Sequence, residues 1–293
     1  MNARSSLMNR FSILLFACAM ALTFMTPAAA APALTFKFTA VNIPGSSQVN
    51  AFGISEAGVI VGEYIGSDGL PHGYTLKGKT VTTVNDPKGL GTFCQGISPN
   101  GSAIVGYYIT STGKNLGFLL KGKTFTDVPG PKGATVTFVF GVNDSTEIVG
   151  MYEDKTFKKH GFLLKNGKYK TLDVPGTNGV TTVTGINNSG DIVMYWDNKG
   201  PIESALYNGK TYKIINVPGS SNSFAQGINN HGDIVYWFAD SKGIHGALQQ
   251  GVTFSHFDDP KGVGETYGFG LNDNKQIVGS WGKSTFQGYQ ATY

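Results

Sequence analysis

One fifteen-residue stretch, Thr182–Trp196 (TVTGINNSGDIVMYW), recurs in close copy six times along the chain and constrains everything else. With its glycine Gly185 as the marker, the full set is Gly53, Gly96, Gly141, Gly185, Gly227 and Gly270, at intervals of 43, 45, 44, 42 and 43 residues. A period of that length is one supersecondary unit that buries its apolar surface only by stacking on its neighbours.

The unit reads as four strands. The first carries Gly-Ile-Asn or a close variant: GIS at 53–55 and 96–98, GVN at 141–143, GIN at 185–187 and 227–229, GLN at 270–272. The Asn or Ser, two polar residues and often a glycine then form a tight turn, because such side chains cap their own turn and glycine accepts φ > 0. The second strand follows as IVGEY, IVGYY, IVGMY, IVMYW, IVYWF or IVGSW. A polar loop leads to a third strand that begins near His72-Gly73-Tyr74, His160-Gly161-Phe162 or His245-Gly246-Ala247, and a hairpin turn such as Asn166-Gly167 leads to a fourth. That fourth strand is expected to end at a proline: Phe36–Pro44, Thr80–Pro87, Thr124–Pro129, Tyr169–Pro175, Tyr212–Pro218 and Thr253–Pro260. Proline donates nothing to a ladder, so each strand stops there and a Gly/Ser-rich link begins.

Six units of four antiparallel strands predict an all-β fold, a six-bladed β-propeller. The repeats lie near 49–87, 92–129, 136–175, 180–218, 223–260 and 265–293, the last short by one strand. The segment 35–44 is a fourth strand without a unit of its own, so it is expected to complete the last blade and close the ring over 31–293. Closure removes the open sheet edges that all-β folds must avoid.

The core G-I-N-x-x-G-x-I-V-G-x-Y, with a later H-G-F at His160-Gly161-Phe162, resembles the HAF repeats of exported bacterial proteins. The likeness covers nearly all of 36–293 and departs at Glu203-Ser204 and His245-Gly246-Ala247. It implies an extracellular repeat protein without an established catalytic set, and it assigns no active-site residue.

Export is also readable from the first thirty residues. Arg4 and Arg10 precede the apolar run Phe11–Met25, and Thr26-Pro27-Ala28-Ala29-Ala30 ends in a small-residue cleavage signal, so 1–30 is expected to be a secretory signal peptide. The run is shorter than the roughly 20 residues of a spanning helix, which leaves no membrane anchor after cleavage and a secreted protein, extracellular or periplasmic. Removing the two arginines from the 23 basic residues leaves 21 lysines against 19 acids. With no arginine for bidentate phosphate or guanine contacts, nucleic acid is not an expected partner. Cleavage removes Cys18 and leaves Cys94, whose repeat equivalents are Ala51, Val139, Val183, Ala225 and Gly268; it reads as a buried filler.

Candidate chemistry is sparse. His72, His160 and His245 recur in alternate units, but each opens a third strand about 5 Å per strand out from the innermost, so they diverge and share no ion. No metal or cofactor is expected. The ring Tyr64, Tyr108, Tyr152, Trp196, Phe238 and Trp281 is so regular that packing between blades explains it; as sugar-stacking shelves the candidates are Trp196 and Trp281. Lys88, Lys132 and Lys261 follow proline in the links, where with Glu265 they are expected to surround the channel mouth. They are the candidates for an anion site, against which Asp86, Asp258 and Asp259, beside two of them, would partly cancel the charge and leave a solvated rim. Residues that break the repeat are the other places to look: Glu63, Glu153, Asp197, Glu203, Asp240 and Glu265.

The resulting expectation is a binding or scaffold module for a polysaccharide or protein partner. The alternative is a six-bladed carbohydrate-active enzyme, lyase or hydrolase, with its site at the channel mouth. A mouth with two converging carboxylates would favour the enzyme, and a channel filled by Phe52, Phe140 and Phe269 the scaffold.

Overall fold

The computed structural model describes residues 34–177, 180–197 and 200–293, so the signal-peptide reading of 1–30 lies outside the described residues. Among the described residues, twenty-four strands form six four-stranded antiparallel sheets. Blade 1 holds β2 (Gln48–Ile54), β3 (Ile60–Ile65), β4 (Pro71–Lys77) and β5 (Thr80–Val84); blade 2 holds β6 (Thr92–Ile97), β7 (Ala103–Ile109), β8 (Asn115–Lys121) and β9 (Thr124–Val128). Blade 3 is β10 (Val136–Val142), β11 (Ile148–Glu153), β12 (Lys159–Lys165) and β13 (Lys168–Thr171). Blade 4 is β14 (Val180–Ile186), β15 (Ile192–Asp197), β16 (Glu203–Tyr207) and β17 (Tyr212–Ile214). Blade 5 is β18 (Asn222–Ile228), β19 (Ile234–Ala239), β20 (Ile244–Gln250) and β21 (Thr253–Phe257), and blade 6 is β22 (Thr266–Leu271), β23 (Gln276–Trp281) and β24 (Gln287–Thr292).

The fourth strand of blade 6 is β1 (Lys37–Val41), paired with β24 from Lys37↔Thr292 to Val41↔Gly288. The two ends of the described chain therefore share one sheet, and the propeller is closed. Val41, the last residue of that pairing, and Ile43 beyond it are buried with Val49, Ala51 and Val278 across the seam.

Each inner strand carries a β-bulge at the same place, between Ala51 and Gly53 in blade 1 and between Cys94/Gly96, Val139/Gly141, Val183/Gly185, Ala225/Gly227 and Gly268/Gly270 in the others. The glycine after each bulge meets the neighbouring blade. A Cβ on Gly96 would stand 2.4 Å from the Phe140 carbonyl oxygen, and one on Gly270 would stand 2.6 Å from that of Phe52. The repeat keeps glycine at this position because the inner strands approach closely there: a Cβ at any of the six would stand only 2.4–3.1 Å from its nearest neighbour.

On the far side of these glycines the Asn turns lock the ring. Asn187 Oδ1 accepts from the backbone N–H of Ser189 and Asp191, and Gly190 takes φ +83°. The same side chain reaches sideways: Asn143 Nδ2 donates to the Asn187 carbonyl, Asn187 to Asn229, Asn229 to Asn272, and Asn272 to Ser55. One residue further out, a second girdle crosses all six junctions. Donors Glu56, Asn100, Asp144, Asn188, Asn230 and Asp273 give backbone N–H bonds of 2.8–3.0 Å to Pro99 O, Asp144, Asn188, Asn230, Asp273 and Glu56 in turn.

The outer strands are shorter than the proline-ended segments in the sequence suggest. β5 stops at Val84 rather than Pro87, and β17 stops at Ile214 rather than Pro218. The residues in between have left the ladder to start the link: Ile215 and Val217 turn into the core, and Asn216 Oδ1 accepts the Ser204 N–H.

Candidate functional site

The links from outer strand to next inner strand and the loops between second and third strands emerge on one face, here the link face, opposite the Asn turns. Between the two faces runs the central channel. Its walls hold a cavity of about 160 Å3 lined by the six glycines and by the bulged residues Phe52, Gln95, Phe140, Thr184, Gln226 and Phe269. The bulge is the cause: the extra residue has no cross-strand partner, and its side chain is turned toward the axis. Phe52, Phe140 and Phe269 thus line the channel without filling it, with two glutamines and a threonine among them.

Toward the link face, two residues before each bulge, lies a belt that sequence reading missed. In each blade an inner-strand residue pairs directly with one on the second strand: Asn50↔Glu63, Phe93↔Tyr107, Phe138↔Met151, Thr182↔Tyr195, Phe224↔Trp237 and Tyr267↔Ser280. Direct partners project on the same side of a sheet. The second-strand member then touches the inner-strand member of the next blade. Tyr107 and Phe138 meet edge to face at 4.8 Å, Tyr195 and Phe224 at 5.1 Å, and Trp237 and Tyr267 at 5.4 Å. Thr182 Oγ1 donates to the Met151 sulfur, and Ser280 Oγ donates to Asn50 Oδ1 at 2.7 Å. Within blades, Phe93 stacks on Tyr107 at 4.5 Å and Phe224 on Trp237 at 3.5 Å. Tyr107, Tyr195, Trp237 and Tyr267 each remain partly exposed, and Thr182 and Tyr195 also line the cavity.

The belt is polar where blades 6, 1 and 2 meet. Ser280 holds Asn50, whose Nδ2 donates to Glu63 Oε1 at 3.0 Å; Glu63 Oε2 is buried without a partner. By the belt's own rule the next neighbour is Phe93, which has no hydrogen bond to give. Burial pushes the Glu63 carboxyl up to about 7, against the pull of the Asn50 hydrogen bond. No other charged group contributes to that shift.

The lysines do something else. Asp86 Oδ1 accepts the Lys88 N–H and Asp259 Oδ1 accepts the Lys261 N–H, both acids being buried, while Thr92 and Thr266 hydroxyls cap the Asp86 and Asp259 N–H groups. The Asp-Pro-Lys links are therefore turn caps. The Lys88 ammonium is 2.8 Å from Asp127 on the outer strand β9, which raises its pKa and leads it away from the channel. Lys132 and Lys261 are exposed, and no ion pair or shared acid joins the three. Glu265 is the one of this group beside the belt: it accepts from the Tyr267 hydroxyl at 3.5 Å and stands 3.8 Å from Lys283.

The regular aromatics pack. Trp196 is 2% exposed and has no face to offer a sugar; Trp281 is half-buried against the cluster around Tyr289. The alternate histidines stack on their aromatic neighbours, Tyr64 and His72 at 5.3 Å and Tyr152 and His160 at 5.1 Å. Each is gripped from both sides: His72 by Asp68 and Asn85, His160 by Asp154 and Asp173, His245 by Asp240 and Asp258. They brace second-to-third-strand loops against outer strands, one blade at a time. Among the described residues no three His, Cys, Asp or Glu side chains cluster as a metal site would need, and no helix is long and apolar enough to cross a membrane. Cys94 is fully buried, as its apolar repeat equivalents imply, and burial pushes its thiol up.

No protein-family profile matches the chain, and no curated protein matches it in sequence. Solved structures do match in fold. AofleA from Arthrobotrys oligospora is 14% identical over 88% of this chain and 87% of its own, with a TM-score of 0.57. Aleuria aurantia lectin in complex with alpha-methyl-L-fucoside is 13% identical over 86% and 93%, with a TM-score of 0.51. Virginiamycin B lyase from Staphylococcus aureus is 11% identical over 88% and 100%, also at 0.51. At such identities the likeness is one of fold, and the fold hosts both binding proteins and enzymes.

Proposed function

We propose that this chain is an exported, HAF-repeat-type propeller that binds a polysaccharide across the link-face mouth of its channel. The observation that carries the reading is the belt. Its aromatic rings meet across three blade junctions, Met151 and Thr182 bridge a fourth between them, and several rings keep part of a face open. Rings so placed offer flat apolar faces for the C–H faces of sugars, with Asn50, Glu63 and Glu265 at the polar end for hydroxyls. The lectin in complex with a fucoside supports this as an example of the same fold in that role.

The enzyme alternative would rest on Glu63, a carboxyl kept protonated near neutral pH in the manner of a general acid. Hydrolysis at a glycosidic bond by the two-carboxylate route needs a second acid roughly 5–9.5 Å away, and none of the other eleven belt residues is a carboxylic acid. Binding is the better-supported reading.

The test is a glycan array with the mature chain, followed by calorimetric titration of the best oligosaccharide into the wild type and Trp237→Ala. Removing a central aromatic anchor costs on the order of 1.4 kcal/mol or more, so affinity is expected to fall about tenfold. An oligosaccharide bound equally well by Trp237→Ala refutes the placement at the belt.

A further inference from the structure

Below the belt, the channel cavity has a composition of its own. Gln95 and Gln226 belong to blades 2 and 5, which stand on opposite sides of a six-membered ring, and both side chains line the cavity. Neither side-chain amide has a hydrogen-bond partner among the described residues. Each therefore keeps two donors and an acceptor free. Thr184, by contrast, is engaged: its hydroxyl lies 2.8 Å from the Ala225 carbonyl and 3.2 Å from that of Val193. Phe52, Phe140 and Phe269, together with aliphatic side chains such as Ile97 and Ile228, make the rest of the wall largely apolar, and no Asp, Glu, Lys or His lines the space.

Three properties follow for an occupant. It is neutral, because a charge placed there would be desolvated without a counter-charge. It carries hydrogen-bonding groups on two opposite edges, to meet two amides that face each other across the axis. It has apolar surface for the phenylalanines, and a cavity of about 160 Å3 within an open channel sets its scale at one small ring. The geometry points to a subsite for a single neutral pyranose, with Gln95 and Gln226 on hydroxyls at opposite edges of the ring. This inference rests on the carbohydrate reading above and adds to it a site, a size limit and a selectivity.

The experiment uses the mature chain and saturation-transfer NMR with titration. The probes are methyl glycosides of glucose, galactose, mannose and fucose, each neutral, against glucuronic and galacturonic acid. The expected result is binding of at least one neutral glycoside, at least tenfold weaker binding of the uronic acids, and at least a tenfold loss for the neutral glycoside in Gln95→Leu/Gln226→Leu. That double variant keeps side-chain volume and removes amides with no protein partner, so its melting temperature is expected to hold. Should it fail to fold, the neutral-against-charged comparison on the wild type decides alone. Equal binding of neutral and uronic sugars, undiminished monosaccharide binding by the double variant, or oligosaccharide binding with no monosaccharide binding would overturn the subsite and leave the belt standing. Failure of the wild type to bind any glycan would overturn both.

Discussion

Replacing Glu63 by glutamine isolates one buried proton. In the native state the carboxyl holds its proton up to about 7, whereas an unfolded chain releases it near 4.5. Between those values the native state binds the extra proton, so this group's contribution is complete below about 4.5 and is lost as pH rises through 7. The gap corresponds to as much as about 3 kcal/mol, reached above pH 7. The groups that face Glu63 do not offset it: Asn50 is already bonded, and Tyr74, Tyr107 and Cys94 are themselves held neutral by burial. Glutamine keeps an oxygen for Asn50 and cannot ionise. Denaturant unfolding of wild type and Glu63→Gln at pH 4 and pH 8 is therefore expected to show the variant gaining about 2–3 kcal/mol relative to wild type at the higher pH. Any fixed cost of the substitution cancels between the two pH values, as do other acids such as Asp154, held at about 2 chiefly by its Thr156 hydrogen bond. A difference that does not change with pH would refute the claim that Glu63 is buried without a counter-charge in the folded protein.

Three other outcomes are expected. Gly96→Ala sets a methyl 2.4 Å from the Phe140 carbonyl oxygen and forces blades 2 and 3 apart, costing about 3 kcal/mol and lowering the melting temperature by roughly 5–10 °C. Thr146 and Lys275 take φ +61° and +58° at the turn position that Gly190 and Gly232 fill elsewhere. Thr146→Gly relieves a β-branched residue of that conformation, so calorimetry should show a gain of about 1 kcal/mol. Deleting residues 31–43 strips β1 and the buried Val41 and Ile43, with Phe36 and Phe38 packed alongside. Each side chain contributes roughly 1.5–3 kcal/mol, a loss comparable with the whole stability of a domain, so circular dichroism should show cooperative unfolding; an unchanged melting temperature would contradict closure.

The fold was readable because its constraints repeat. Gly185 and its five counterparts stand where a Cβ would crowd the next blade, Asn187 and its equivalents cap a turn and bridge to the next blade, and both roles favour one residue type in nearly every unit. The orphan strand at Phe36 was readable for the same reason, since a four-strand unit that ends after three leaves a vacancy only that segment fills. The link chemistry was misjudged: Asp86 and Asp259 look like acids that offset neighbouring lysines, yet they are buried caps whose job is the turn. Regularity at the aromatic near the end of each second strand points to packing, and Trp196 is indeed buried; only its candidacy as a sugar shelf goes with that burial. The belt lies one residue earlier, at Glu63, Tyr107, Met151, Tyr195, Trp237 and Ser280. Nothing common to those six residue types marks them in a linear sequence. Only the ring brings each to the inner strand of the following blade, and only there do their differences form one surface with an aromatic arc and a polar notch. Gln95 and Gln226 were hidden likewise, since the bulge that turns them to the axis is visible in pairing register and not in residue type.

The claim that the belt is a glycan surface is tested most directly by a crystal structure of the mature chain grown with the oligosaccharide that an array ranks first. The account predicts a sugar ring lying flat on Trp237 or Tyr107 at the link-face mouth, with a hydroxyl within hydrogen-bond distance of Asn50, Glu63 or Glu265. A glycan seated on the outer strands, or on the Asn-turn face of the ring, would contradict it.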